Sequence, residues 1–162
     1  MKKIILSVMV AFGFMVANSF AAPPLWSVEY AKEYCDLWNK SSLAKDLKDW
    51  AKSKPEGKVI QIYRTDCGAD KKVELQIKYV DGMAKCVYAG PPKSSKPDFL
   101  MYTSTKKWEE LGKGKFGFGG FRVAMMRKLK FEGSMKEAMA NMGAFKTFLL
   151  NVGKIPYSKD CP

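Results

Sequence analysis

The residues able to do chemistry in this chain are few and scattered. There is no histidine, which removes Ser-His-Asp and Cys-His nucleophilic arrangements, H-E-x-x-H zinc sites and C-x-x-C-H haem attachment. Carboxylates, lysines, tyrosines and cysteines remain. Asp66, Asp70, Glu74, Glu109, Glu110 and Glu132 show no pairing pattern suited to acid–base work. Glu109-Glu110 adjoins Lys106-Lys107, which is the composition of a solvated helix face. Cys67, between Asp66 and Gly68 at an expected turn, has no imidazole to activate it and reads as a disulfide half or an inert thiol. Gly112-x-Gly114-x-x-Gly117 matches a dinucleotide loop in spacing only. It follows an expected helix and lacks the βαβ frame that would aim a helix N-terminus at a pyrophosphate. These readings predict a protein that is not an enzyme and that uses no cofactor and no metal.

What the chain does concentrate is soft apolar surface. Met125, Met126, Met135, Met139 and Met142 fall within eighteen residues, beside a run of glycine and phenylalanine from Gly112 to Phe121. Methionine is flexible and polarizable and repacks around varied shapes. A core that needs one rigid packing favours Leu, Ile and Val instead. Each methionine taken singly is ordinary core filling, but together they suit a cavity that accepts apolar ligands. Phe116, Phe118 and Phe121 then read either as the apolar teeth of a gate or as core aromatics of an ordinary loop.

The N-terminus carries an export signature. Lys2 and Lys3 precede an almost wholly apolar run from Ile4 to Val16, and Ser19-Phe20-Ala21 offers small residues for cleavage. That run is too short to span a bilayer comfortably. Residues 1–21 are expected to be a signal peptide, and the bacterial periplasm is the expected location. The 162 residues carry a net charge of +12, which the loss of Lys2 and Lys3 lowers by two. Such a charge suits a transient encounter with an anionic membrane surface. The lysines are dispersed rather than blocked, which also fits a solvated basic face. Export argues against nucleic acid as a partner. Cys35, Cys67, Cys86 and Cys161 are an even set, which in an exported protein predicts disulfides.

The elements that must position these residues are legible from periodicity. Ser27 caps an expected helix to about Asn39, with Val28, Ala31, Cys35 and Trp38 on one face. Ser42 caps a second, with Leu43, Leu47 and Trp50 inward. After a break at Lys52–Gly57 the period changes to two. Lys58–Thr65 is a strand. Val73, Leu75, Ile77 and Tyr79 alternate with polar residues, and Asp81-Gly82 predicts a two-residue type I′ hairpin. Ala84, Cys86 and Tyr88 continue the alternation on the return strand. Phe99–Thr103 and Leu129–Glu132 are the fourth and fifth strands. Thr105 caps a helix through Leu111, and Phe121–Lys128 is one or two helical turns. Ser134 and Glu137 form a capping box opening one long helix that Gly153 and Pro156 end. The fold class is α+β, a five-stranded, mostly antiparallel sheet flanked by helices. In a meander, Cys67 and Cys86 lie about five residues apart along the strands, roughly 16 Å, whereas a disulfide needs Cα atoms within about 7 Å. Bonds from Cys35 or Cys161 to the sheet, or a Cys35–Cys161 clasp, stay open.

From Lys58 to Pro156 the chain resembles the sterol carrier protein family. The likeness lies in Thr65-Asp66-Cys67 ending the first strand, the Asp81-Gly82 hairpin and Lys96-Pro97-Asp98 before the fourth strand. It continues through Thr105–Leu111, Arg127–Gly133, Ser134–Met139 and the closing Gly153–Pro156. The resemblance implies a hydrophobic tunnel between sheet and helices that holds fatty acyl chains, phospholipids or sterol-like molecules without catalysis. It places Phe99, Met101, Trp108, Phe118, Phe121, Met125, Met126, Met135, Met139, Met142 and Phe145 along that tunnel. Residues 22–57 would be a helical segment packed on a lipid-binding domain of residues 58–162. The other reading is an accessory protein with a filled core that binds a protein partner or an anionic membrane surface.

Overall fold

The computed structural model describes residues 21–162; the expected signal peptide lies almost wholly outside the described residues. Helix α1 (Val28–Lys40) is followed by two short helices, α2 (Leu43–Asp46) and α3 (Lys48–Lys52). Strands β1 (Lys58–Arg64), β2 (Val73–Val80), β3 (Met83–Gly90) and β4 (Phe99–Thr103) come next. Then follow α4 (Thr105–Gly112), α5 (Gly120–Lys128), β5 (Lys130–Gly133), α6 (Met135–Ala140) and α7 (Met142–Val152). Among the described residues, no helix is long and apolar enough to cross a membrane.

The strands form one mixed sheet in the order β3-β2-β1-β4-β5. β1 and β4 are parallel and the other pairings are antiparallel. Period-2 alternation aims Ile60, Ile62, Leu75, Ile77, Phe99 and Met101 into the core. Asp81 and Gly82 both have positive φ, 49° and 77°, as a type I′ turn requires. A bulge between Gln76 and Ile77 shifts the β2–β3 register, so that Cys86 faces Ile77 while Tyr88 faces Gln76. The expected Ala84-Cys86-Tyr88 row therefore breaks, because the extra residue reverses the side-chain phase.

Helix α1 docks on β3 through its own side chains. Trp38 donates Nε1 to the Ala84 carbonyl at 2.8 Å. Asn39 closes two bonds with the Cys86 backbone, at 2.9 and 2.8 Å. Cys35 completes the seam with a disulfide to Cys86, Cα atoms 5.3 Å apart. The second disulfide joins Cys67 to Cys161 with Cα atoms 5.4 Å apart. Both open possibilities for bonding Cys35 and Cys161 to the sheet side are thus realised, and Cys67 and Cys86 are not joined. Gly112 and Gly153 let α4 and α7 cross closely, since a Cβ on Gly112 would meet the Gly153 nitrogen at 2.7 Å.

Three local expectations change. Ser42 adopts helical angles and makes no side-chain cap, and the second helix breaks at Leu47 (φ −99°, ψ 11°) into α2 and α3. Thr105 does not cap α4. Its nitrogen and hydroxyl both donate to Asp66, at 3.0 and 2.5 Å, so a carboxylate from the turn after β1 serves that helix end. Burial opposes ionisation of Asp66, but these Thr105 bonds, its own backbone and Arg64 outweigh it and hold the carboxyl below the usual carboxylate range. The long C-terminal helix is two helices, divided at Asn141 (φ −113°, ψ 31°).

Candidate functional site

Both helix breaks border the same space. Leu47 and Asn141 both line an apolar pocket of about 50 Å³ between the inward sheet face and the helices. The sheet supplies Ile60, Phe99, Met101 and Phe131. Trp38 and Trp50 close one side, and Ala138, Ala144, Phe145 and Phe148 the other. The break at Asn141 has a local cause: its side chain donates Nδ2 to the Glu137 carbonyl at 2.9 Å. Asn side chains compete in this way with the helical ladder.

One polar cluster sits at the edge of this apolar space. Ser134 Oγ accepts the Glu137 backbone N–H at 3.2 Å, which is half of the expected capping box. The Glu137 carboxylate does not turn back to complete it. Its Oε2 accepts Trp50 Nε1 at 2.8 Å and Lys58 Nζ at 2.9 Å. Lys58 is 5% exposed, its ammonium 5.4 Å from the Trp50 ring centre. The carboxylate balances the charge of this buried ammonium, and the ring face favours it.

The tunnel residues expected from the sequence separate into four groups. Phe99, Met101 and Phe145 line the pocket. Phe121 reaches it through Phe145 with ring centres 6.2 Å apart, while Met142 packs half-buried against the core and Met139 is half-buried on α6. Met125 and Trp108 are buried elsewhere in the core; Trp108 packs on Trp26 at 5.4 Å and donates to the Tyr63 carbonyl. Phe118, Met126 and Met135 are exposed. The pocket also uses residues absent from that expectation. Trp50 had an inward helical position, and Lys58 had the inward register of β1, two before Ile60. A cation in a buried strand register was the available signal for the polar edge. Among the described residues, no cluster of three His, Cys, Asp or Glu is placed to hold a metal.

This order of strands and helices has relatives. The family profile described as the SCP-2 sterol transfer family matches residues 31–146. The chain belongs to that family. Lipid binding or transfer is the family's general activity, and the resemblance noted in the sequence extends back across α1. The solution structure of a conserved protein from Thermus thermophilus, described as a candidate sterol carrier protein, superposes with a TM-score of 0.57 at 17% identity. The match covers 88% of this chain and 97% of that one. A crystal structure of sterol carrier protein 2 gives 0.54 at 20% identity, over 82% and 99% of the two chains. Both likenesses speak for the fold. Among curated proteins, none matches this sequence significantly. The sheet and flanking helices of this SCP-2 family member are as expected, and the apolar pocket described between them encloses about 50 Å³.

Proposed function

We propose that this protein is an exported, non-catalytic carrier that takes the apolar part of a fatty acyl lipid, phospholipid or sterol-like molecule into the pocket between sheet and α6–α7. The bacterial periplasm is its proposed location. The carrying observation is the apolar pocket bounded by both helix breaks, Leu47 and Asn141. Ligand sites commonly enclose about 300–1,000 Å³, so this one must widen as the ligand enters. An empty cavity costs roughly 24 cal/mol per Å³, so opening ~300 Å³ in advance would cost about 7 kcal/mol. Burying a sixteen-carbon chain yields about 13 kcal/mol gross, at ~0.8 per methylene. Opening coupled to entry is therefore favoured over a standing cavity. The half-buried Met139, Met142 and Phe145 are the side chains able to give way. Two disulfides support an oxidising compartment.

Titration with a fluorescent fatty acid tests this. Saturable binding that Met142→Lys abolishes in a folded protein supports the carrier. The narrowness of the pocket favours a second reading, an accessory protein with a filled core that recruits a protein partner. Absence of saturable binding, together with no lipid co-purifying in the detergent-free protein, would leave that reading standing.

A further inference from the structure

From Leu111 to Phe131 the chain contains no Asp or Glu, yet it holds Lys113, Lys115, Arg122, Arg127, Lys128 and Lys130. Of the flanking carboxylates, Glu109 pairs with Lys113 and Lys159, Glu110 pairs with Lys128, and Glu132 accepts from the Tyr102 hydroxyl. Lys115, Arg122, Arg127 and Lys130 form no ion pair among the described residues and are exposed. Set among them is apolar surface that the core does not use. Phe118 is fully exposed and Met126 is 70% exposed. Helix α5 divides cleanly. Ala124 and Met125 are buried and Phe121 partly so, while Arg122 and Met126, four residues apart, share the outer side. Gly119 and Gly120 both have positive φ, 91° and 71°, a conformation that favours glycine and that sets Phe118 at the tip of the turn.

The same segment is tied to the pocket. Phe116 meets Phe121 at 5.1 Å, and Phe121 meets Phe145 at 6.2 Å. Phe145 lines the pocket. Lys146 on α7 adds a further cation, 5.7 Å from the Phe116 ring centre.

We propose that the Gly114–Gly120 loop and the outer side of α5 form the surface by which this protein docks on an anionic bilayer. Phe118 and Met126 enter the interface, and Arg122 and Arg127 lie against headgroup phosphates. The inference rests on the lipid-carrier reading, to which it adds the place where cargo is exchanged. Charge complementarity selects the occupant. A surface of unpaired cations around exposed apolar tips, with no carboxylate within it, suits a sheet of phosphates over hydrocarbon. A second group of exposed apolar residues, Tyr79, Val80, Met83 and Val87 around the β2–β3 hairpin, is at most half exposed. It includes Asp81 at its turn, and Lys52 already stacks on Tyr79 at 5.7 Å.

The test is flotation of the purified protein with phosphatidylcholine vesicles, with and without phosphatidylglycerol. The wild type should partition onto the anionic vesicles and be released by salt. Arg122→Gln with Arg127→Gln should weaken partitioning about thirtyfold, and Phe118→Ser with Met126→Ser about tenfold. Val80→Ser with Met83→Ser should leave it unchanged. All these side chains are exposed, and near-UV circular dichroism checks the fold of each variant. Wild-type partitioning in both loop variants, or a loss confined to the hairpin variant, overturns the assignment. Indifference of the wild type to phosphatidylglycerol also overturns it and points to a protein partner for this face. Fatty-acid titration without vesicles separates the two readings. Docking without fatty-acid binding removes the carrier and keeps the docking face. Fatty-acid binding with undiminished docking of the loop variants does the reverse.

Discussion

Trp26, Tyr30, Tyr34 and Trp108 are buried rings, whereas Phe121, Phe131 and Phe145 are only half-buried. In the first region Trp26 touches Tyr30, Tyr34 and Trp108 with ring centres 5.1–5.4 Å apart. The tyrosines reach α7 carbonyls, Tyr30 at Val152 and Tyr34 at Phe148, at 2.8 and 2.7 Å. Burial pushes both phenols well above their usual range, so they stay protonated donors. Disulfides and Arg64 complete this region. The buried guanidinium donates to the Leu25, Asp160 and Lys159 carbonyls. The second region has its directional bonds at its edge, where Glu137 accepts from Trp50 and Lys58. Its C-terminal helices are divided at Asn141, Phe145 meets Phe121 and Phe131 edge to face, and methionine fills much of its flank. One half of the core is held by directional bonds, while the other is held by contacts that can be remade. Phe148 stands between them, stacked on Trp26 at 6.3 Å and on Phe145 at 6.1 Å.

The comparison can be broken in order of expected effect. Cys35→Ala with Cys86→Ala opens a loop of 51 residues and should cost about 4 kcal/mol by chain entropy. Urea denaturation measures it, and a loss below about 1 kcal/mol would show that the α1–β3 seam is held without the bond. Glu74 comes next. It is fully buried and accepts from Gln61, Gln76 and the Lys93 and Ser94 nitrogens. Burial opposes its ionisation, but those bonds prevail and keep its carboxyl below the usual range. The unfolded chain therefore binds more protons than the folded one as pH falls below about 4.3. The stability that Glu74 provides is present above that pH and is lost below it as the folded carboxyl protonates. Glu74→Gln should cost about 3 kcal/mol near neutrality and flatten the acid limb of a stability–pH curve. An unchanged limb would assign acid sensitivity to other carboxylates.

The pocket side should respond less in stability and more in binding. Phe145→Ala should cost about 2 kcal/mol, below the ~3–5 of a fully buried ring, because its ring is half-exposed. It should also tighten or broaden fatty-acid binding by enlarging the pocket. A loss of both stability and binding would mean that Phe145 belongs to the rigid half. Met142→Leu should be the mildest, under about 1.5 kcal/mol, and should narrow the range of acyl lengths bound in competition experiments.

Much of the molecule was open to reading from its residues because the physics involved is local. The Asp81-Gly82 turn, the Ser27 cap of α1, the Ser134 cap of α6 and the inward row of β2 each depend on neighbours a few positions away. Of the pocket, Phe99, Met101 and Phe145 were named through the family resemblance, and Phe145 also lay on the apolar face that the helical period marked out. Trp38, Trp50, Phe131 and Glu137 were not assigned to it, since their neighbours there come from other elements.

By itself the sequence determined the class of the fold, the strands, most helices and the lack of histidine chemistry. Periodicity, turn residues and composition settle these without distant contacts. Only the tertiary structure decided the parallel β1–β4 pairing, the Cys35–Cys86 and Cys67–Cys161 bonds and the breaks at Leu47 and Asn141. It also turned Glu137 from a helix cap into the partner of Lys58 and Trp50. The strand pairing and both disulfides depend on residues tens of positions apart being brought within a few ångströms, while at Asn141 a local side-chain bond competes with the helical ladder. An opposite charge across the core outcompetes a vacant backbone N–H three residues away.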